Sequence, residues 1–439
     1  MPQDELFLLE NAEVLVTMAS GRRTLPGGWL AARNGMITAV GKGPAPDLID
    51  GEPAEQYTRH DATGCVVLPG LINTHHHLYQ TRTRALPEAV DSELFDWLTT
   101  LYPVWAKLTD EQFHQGALVG FKELMRSGCT LTTDHHYLFP RDASPHLIDL
   151  TIDAARQAGI RFHPTRGSMS RSRKDGGLPP DSVVQDRDTI LADSERVITR
   201  FHDPEPGAMV RIALAPCSPF SVNPELMTET AELARKHGVR LHTHLAETRD
   251  EDRYCQDIYG KRPVEFLESV GWLADDVWLA HGIWFDDDEI DRLGTAGVGV
   301  AHCPTSNMRL GSGICRVREL RDAGCPVGLA VDGSASNDSS NFLAEMRQAL
   351  LLHRVTKGAA GMSVGEVLEM ATLGGAGCLG REDVGSLEVG KACDLAVFDL
   401  SAIGYDGARD PVAALLLCHP EPAREVVVGG KVVRPEQRT

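Results

Sequence analysis

The chain has 439 residues, of which 42% are hydrophobic, and its 43 basic and 62 acidic residues give a formal net charge of -19. Single hydrophobic cores stop growing at roughly 250 to 300 residues, so this length predicts one large domain and a smaller one. The acidic balance argues against nucleic acid or an anionic membrane as a partner, because both need clustered lysines and arginines, and it favours a small-molecule substrate.

The two ends of the chain predict a small sheet domain, because short strand-like runs there are separated by glycine, asparagine and proline turns. Near the start these runs lie at 6–9, 13–16, 29–32 and 36–40, and similar runs return at 394–398 and 425–433. We therefore predict that residues 1–67 and 385–439 together form a β-sandwich domain.

The intervening residues, 68–384, alternate between short apolar runs and amphipathic stretches such as 224–237 and 341–353. The apolar runs end at Thr74 or lie at 130–133, 161–165, 211–215, 240–243, 278–280, 298–301 and 327–331. Eight strand-helix units predict an α/β fold, a (β/α)8 TIM barrel, whose catalytic groups lie at the C-terminal ends of the strands. The longest gap, 167–210, predicts a functional loop followed by a helix.

The ten cysteines are dispersed and form no C-x-x-C pair, which favours reduced thiols and a cytoplasmic protein. Residues 1–5 contain neither the basic stretch nor the apolar run of a signal peptide. No window approaches the roughly 18 continuous apolar residues that cross a bilayer. We therefore expect neither secretion nor membrane insertion.

Polar residues at the ends of the predicted strands indicate a metal site, since neutral imidazoles suit zinc or ferrous iron. Residues i and i+2 of a strand face the same side, so His75 and His77 point inward together. Catalytic zinc keeps about three protein ligands and an open position for water. His244 is the natural third ligand and Asp332 a weaker fourth.

His242 alternates with His244 and competes for the ligand role. We prefer His244 because it places Glu247 three residues further on, within reach of a water at the metal. A single histidine among the 17 of this chain is more often a packed or hydrogen-bonded residue than a ligand. The joint occurrence of such residues at successive strand ends favours the metal site.

Five motifs in order resemble the amidohydrolase superfamily, specifically its deaminase branch. They are PGLINTHHH at 69–77, HLAE at 244–247, LAHG at 279–282, VDGSASND at 331–338 and GSLEVGKACDL at 385–395. The resemblance implies a hydrolase that removes an amino group from a heterocycle. It also implies metal ligation by His75, His77, His244 and Asp332, a proton shuttle in Glu247, and orientation of water or substrate by His281.

The resemblance also bears on the number of metal ions. Binuclear members use a bridging lysine on the fourth strand, and residues 211–217 contain no lysine. We therefore expect one divalent ion, zinc with ferrous iron as the alternative.

Further stretches, at 75–80, 101–105, 133–140, 165–170, 215–220 and 302–310, resemble bacterial 8-oxoguanine deaminases. Such a reaction yields urate and ammonia. The amide of Gln80 is then expected to pair with the amide edge of the substrate and Trp105 to stack on its ring. His136, Arg166 and Cys217 are expected to meet its remaining polar groups. Core packing is an equal alternative for Trp105, and Cys217 is more often a small buried hydrophobe.

Three other functions stay open. Guanine and isoxanthopterin are close competitors as substrates, because a small number of side-chain changes in a pocket is enough to move specificity by the required amount. Hydrolases of s-triazines share the run at 333–338, although Asp332 favours a deaminase. A non-catalytic barrel assembly protein is the third alternative, and loss of metal ligands, which would mark it, is not seen. We also expect a homo-oligomer, the usual state of symmetric enzyme assemblies.

Overall fold

The computed structural model describes residues 4–20 and 24–434. The strands are β1 Leu6–Val16, β2 Thr24–Arg33, β3 Met36–Lys42, β4 Leu48–Ile49, β5 Glu52–Pro53, β6 Thr58–Asp61, β7 Cys65–Pro69, β8 Leu71–Asn73, β9 Cys129–His136, β10 Arg161–Ser168, β11 Ala213–Pro216, β12 Arg240–Leu245, β13 Val277–His281, β14 Gly299–His302, β15 Val327–Leu329, β16 Leu395–Asp399, β17 Glu425–Val428 and β18 Lys431–Val433. The helices are α1 Leu94–Trp105, α2 Asp110–Arg126, α3 Leu147–Ala158, α4 Arg187–Phe201, α5 Pro224–His237, α6 Arg249–Tyr259, α7 Pro263–Ser269, α8 Asp287–Ala296, α9 Pro304–Arg309, α10 Val317–Asp322, α11 Phe342–Lys357, α12 Val364–Glu369, α13 Gly375–Cys378 and α14 Pro411–Leu417.

Eight parallel strands, β8 to β15 in chain order, form the central sheet. The sheet curls until its last strand lies beside its first, and the backbone N–H of Thr74 donates to the carbonyl of Leu329 at 3.1 Å. Each strand occupies one of the eight predicted runs, so the predicted TIM barrel is confirmed. Side chains that follow the strands at their C-terminal ends therefore meet at one mouth.

Local sequence explains where the barrel helices begin and end. Helix α5 spans the predicted 224–237, with Pro224 in its first turn and Gly238 in the left-handed conformation at φ 65° after its last turn. Helix α2 begins with a capping box, in which Thr109 and Gln112 each bond the other's backbone N–H. Within 167–210 a loop is followed by a helix, α4, and the functional role of that loop stays a prediction.

The terminal segments form one eight-stranded mixed sheet, ordered β18-β17-β16-β7-β1-β2-β3, with β6 also paired to β1. The small sheet of β4 and β5 lies beside it, and Ile49 packs with Trp29 of the larger sheet. The runs predicted at 6–9 and 13–16 are one strand, β1, because a bulge follows Leu9 and Asn11 takes a φ of 60° instead of a turn.

Strand β7 pairs with both β1 and β16. A domain boundary between residues 67 and 68 divides this strand, and the exact domain limits remain predictions.

Residues 1–3, on which the expected absence of a signal peptide partly rests, lie outside the described residues, as do 435–439 of the second terminal segment.

The ten cysteines are all free thiols, as the sequence predicted. Helices within the described ranges are all too short or too polar to cross a membrane.

Candidate metal centre and active site

The predicted metal-binding and catalytic residues meet at the C-terminal mouth of the barrel, and all are buried. His75 and His77 follow β8, His244 lies in β12 with Glu247 just beyond, His281 ends β13, and Asp332 follows β15. Potential ligand atoms of His75, His77, His135 and His244 lie within 4.8 Å of one another, and the same holds for His75, His281 and Asp332.

His77 and His244 each direct the Nε2 atom to the centre of this cluster. The Nδ1 atom of His77 lies 2.9 Å from the carbonyl oxygen of His135, and that of His244 lies 2.7 Å from the carbonyl oxygen of Cys217. A carbonyl only accepts hydrogen bonds, so both Nδ1 atoms carry the proton of the neutral ring. The two Nε2 lone pairs then face each other across 3.1 Å.

His75 is oriented by a second histidine. The Nδ1 atom of His242 donates to the carbonyl of Trp278 at 2.8 Å, which leaves its Nε2 atom to accept from Nδ1 of His75 at 2.7 Å. The Nε2 atom of His75 is therefore unprotonated and has no hydrogen-bond partner among the described residues. His242 thus lies behind His75, and His244 occupies the inner position preferred from the sequence.

These donors fit a divalent cation. One carboxylate oxygen of Asp332 lies 3.2 Å from Nε2 of His75 and 3.3 Å from Nε2 of His77. Burial lowers the pKa of His75 to about 3 and the pKa of His244 well below its usual value, so both rings stay neutral. Bare imidazole nitrogens and a carboxylate at such distances repel one another unless a cation lies between them.

Glu247 faces His281 beside this centre. Its Oε2 atom lies 3.5 Å from Nε2 of His281, and its Oε1 atom accepts from the hydroxyl of Ser312 at 3.3 Å. Burial, together with the charge of Asp332, raises the pKa of Glu247 well above its usual value. Glu251 holds the backbone here, since its two carboxylate oxygens accept the N–H groups of Ala246 and Glu247. The arrangement suits a carboxyl group that takes up and releases a proton.

Two neighbouring residues of α9 orient the other catalytic candidates. Ser306 donates its hydroxyl proton to Asp332 at 2.6 Å, and the amide of Asn307 lies 2.9 Å from Nδ1 of His281. Asp332 and His281 have φ angles of 62° and 73°. Such left-handed conformations are costly for residues other than glycine and cluster at functional sites.

A cavity adjoins the cluster, and α1 closes it from outside. Its lining consists of His77, Gln80, Leu94, Trp97, Leu98, Tyr102, Tyr137, Cys217, Phe220, His244, Glu247, His281, Leu310, Asp332 and Ser336. The indole N–H of Trp97 donates to the carbonyl of Ala335 at 3.2 Å, which ties α1 to the loop after β15. The cavity volume is about 30 Å³, room for very few water molecules. A ring-shaped substrate is larger than this space and must therefore displace some of the lining side chains.

Two of the five predicted substrate contacts line this cavity. Gln80 is buried, and its side-chain oxygen accepts the backbone N–H of Ala335 at 3.3 Å. Cys217 lies with its sulfur 3.9 Å from Nδ1 of His244, and burial raises the pKa of its thiol to about 12. Cys217 therefore contributes a neutral thiol to the wall.

The other three lie outside the cavity lining, so their positions do not support the predicted contacts. Trp105 is directed into the core and donates its indole N–H to the hydroxyl of Thr83. His136 packs against Phe113 and Phe139. Arg166 is held by Asp193 and Gln185 and stacks on Phe139, so its charge is already compensated.

Sequence reasoning missed several residues that the fold brings to the site. His135 stacks on His244 with ring centroids 4.6 Å apart, and its Nδ1 atom has no hydrogen-bond partner among the described residues. Trp97 and Tyr102 of α1 replace Trp105 as the aromatic lining. Alternation along β9 could have separated His135 from His136, and the apolar stripe of α1 could have indicated several facing aromatics.

Comparison with known proteins agrees with this geometry. The amidohydrolase family model matches residues 66–433. An 8-oxoguanine deaminase of Pseudomonas aeruginosa is 55% identical over 85% of this chain and 83% of its own length. An isoxanthopterin deaminase from an unknown prokaryotic organism is 38% identical over 92% and 87% of the two chains.

A solved structure extends the comparison to the fold. The zinc complex of atrazine chlorohydrolase from Arthrobacter aurescens superposes with a TM-score of 0.92 at 36% identity, covering 97% of this chain and 94% of the other. The zinc of that structure and the histidine cluster of this one agree on a divalent metal. The chain belongs to the amidohydrolase family, as one of its deaminases that hydrolyse C–N bonds.

Proposed function

We propose that this protein hydrolyses 8-oxoguanine to urate and ammonia. The observation that carries the proposal is the closed cavity in which Glu247 faces His281 beside three inward imidazoles, with Gln80 on the wall. The 55% identity to the Pseudomonas aeruginosa 8-oxoguanine deaminase supports the choice of substrate.

His75, His77, His244 and Asp332 would hold one divalent ion, which we propose to be zinc. Such an ion supplies Lewis acidity that makes water nucleophilic at neutral pH. The lone pairs of the three Nε2 atoms are kept available by the hydrogen bonds at the opposite ring nitrogens. His242 acts through His75 and has no contact with substrate in this scheme.

Glu247 moves the protons. It removes one proton from the attacking water and delivers it to ring nitrogen N3 while the water oxygen bonds to C2. The second water proton then passes to the exocyclic amino group. The bond between C2 and the amino nitrogen breaks with its electron pair on nitrogen, and ammonia leaves. C2 retains the oxygen as a carbonyl, which gives urate. Because burial raises the pKa of Glu247, its carboxylate is a stronger base toward the water proton than an exposed glutamate is.

His281 and Asp332 position the reacting atoms. The Nε2 atom of His281 lies between the carboxylates of Glu247, at 3.5 Å, and Asp332, at 3.9 Å, so it can orient the attacking water. Gln80 offers its amide to the amide edge of the purine. Trp97, Phe220 and Leu310 supply apolar contacts suited to a flat ring.

The test is a parallel assay of ammonia release by the metal-loaded enzyme with 8-oxoguanine, guanine, isoxanthopterin, cytosine and an amino-substituted triazine. We expect the highest kcat/KM with 8-oxoguanine, and formation of urate in equal amount to ammonia. A higher kcat/KM with any other compound would overturn the substrate assignment and leave the deaminase chemistry in place.

A further inference from the structure

Tyr102 is a fully buried residue of α1 that lines the cavity. Its hydroxyl has no hydrogen-bond partner among the described residues. A buried hydroxyl without a partner is costly, and most such groups in folded proteins are paired with protein, water or ligand. The Tyr102 hydroxyl is therefore available to a molecule that enters the cavity.

The Tyr102 side chain is held in place from behind. Its ring packs edge-on against Trp105, with centroids 5.9 Å apart, and Trp105 is fixed by its hydrogen bond to Thr83. The side chain therefore presents its hydroxyl from a rigid support. Rigid polar groups in a buried pocket discriminate strongly between ligands that pair with them and ligands that do not.

Other rings separate Tyr102 from the histidine cluster. The ring contacts that lead from His77 of the histidine cluster to Tyr102 pass through Tyr79 and then Trp105. Much of the lining between these two ends is apolar, and it includes Leu94, Trp97, Leu98, Phe220 and Leu310. A substrate that reacts at the Glu247 end thus directs its opposite edge toward Tyr102.

We propose that the Tyr102 hydroxyl determines specificity by hydrogen bonding to the far edge of a fused two-ring heterocycle. This inference rests on the proposed function and deepens it. A purine with polar atoms on its five-membered ring satisfies the hydroxyl. A single ring, or a triazine with alkyl substituents at that edge, leaves the hydroxyl unpaired.

The test compares wild type with Tyr102→Phe on two substrates, 8-oxoguanine and isocytosine, which is the pyrimidine half of guanine. We expect kcat/KM for 8-oxoguanine to fall roughly 10- to 100-fold, mainly through KM, and kcat/KM for isocytosine to change less than about threefold. Tyr405→Phe is the matched control, because this tyrosine is also buried but bonds Glu421 outside the barrel. The kcat/KM of Tyr405→Phe should equal that of wild type for both substrates.

Equal losses on the two substrates would mean that Tyr102 only supports the fold, and no loss on 8-oxoguanine would mean that it does not touch substrate. Either result overturns the inference. If wild type releases no ammonia from any heterocycle, the proposed function fails instead. Calorimetric titration of 8-oxoguanine into both proteins then decides the inference, which predicts binding by wild type with a Kd at least tenfold lower than that of the variant. Equal Kd values, or no binding by wild type, overturn it.

Discussion

The Nε2 atoms of His77 and His244 lie 3.1 Å apart, and each ring directs its Nδ1 atom to a backbone carbonyl, so the Nε2 atoms are left for the centre of the cluster. Nitrogen donors this close together, beside the Asp332 carboxylate, are stabilised by a cation that binds between them. Binding of the metal ion should thus affect the stability of the fold as well as the activity.

Removal of the metal should therefore lower both activity and stability. After dialysis against a strong chelator, we expect loss of ammonia release and a lower unfolding temperature. A ligand at a thousand times its Kd contributes about 4 kcal/mol to stability. Metal analysis, calorimetry and assay before and after zinc is restored provide the check. A chelated protein, shown to be metal-free, that unfolds at the same temperature would contradict the role of repulsion between these groups.

His242 and His244 should differ in their effects on the metal. His244→Ala removes a proposed ligand and should prevent stoichiometric zinc binding. His242→Ala removes the acceptor for Nδ1 of His75 and the bond to Trp278 but no proposed ligand, and loss of such an outer partner typically weakens metal affinity 10- to 100-fold. Competition with a chromophoric chelator measures both values. If His242→Ala abolished binding and His244→Ala retained it, the assignment of the two histidines would be reversed.

Glu247→Gln should lose turnover while keeping the metal. A glutamine cannot shuttle a proton, and general acid-base catalysis typically contributes 10²- to 10⁴-fold to the rate. We expect kcat to fall by about that factor, with zinc content equal to wild type. Exposed Glu232→Gln on α5 is the matched control and should keep full activity. A normal kcat for Glu247→Gln would exclude the shuttle role.

The metal ligands were predictable because their geometry depends on local rules. Alternation along a strand places His75 and His77 on one side, and the strand order of a TIM barrel brings both to His244. These relationships need only the strand positions. The roles of the ligands remain predictions, but the expected proximity is confirmed.

The substrate wall was less predictable because it depends on packing between distant segments. Trp97 and Trp105 lie eight residues apart on one face of α1, and the tilt of the helix decides which of them reaches the cavity. Arg166 ends a barrel strand, yet Asp193 of α4 compensates its charge. No local pattern reveals that partner, and therefore the sequence left Arg166 as a substrate contact.

The two tryptophans of α1 should accordingly separate in their effects. Trp105→Phe loses the bond to Thr83 and core volume, so we expect lower stability, by about 1 to 3 kcal/mol, and a smaller rise in KM than Trp97→Phe causes. Trp97→Phe removes the bond to Ala335 and alters the cavity wall, so KM should rise. Urea unfolding and steady-state kinetics of both variants distinguish these outcomes. A raised KM for Trp105→Phe with KM unchanged for Trp97→Phe would instead support the expectation from the sequence that Trp105 stacks on the substrate.

Glu251 should make stability depend on pH. Burial raises the pKa of this carboxyl to about 7, although the N–H groups of Ala246 and Glu247 oppose the shift. The folded protein then binds a proton that the unfolded chain, with a glutamate pKa near 4.3, releases. The stabilisation that protonated Glu251 contributes to the fold is fully present below about pH 4 and is lost as pH rises through 7.

Glu251→Gln cannot ionise, so the stability of wild type relative to this variant should fall by about 2 to 4 kcal/mol between pH 4.5 and pH 8. Urea unfolding at several pH values measures the difference. Glu232→Gln, at an exposed position, is the control and should show a nearly constant difference from wild type. If Glu251→Gln lost stability relative to wild type as pH rose, the carboxylate would be the form that the fold prefers. Its two backbone hydrogen bonds would then outweigh its burial.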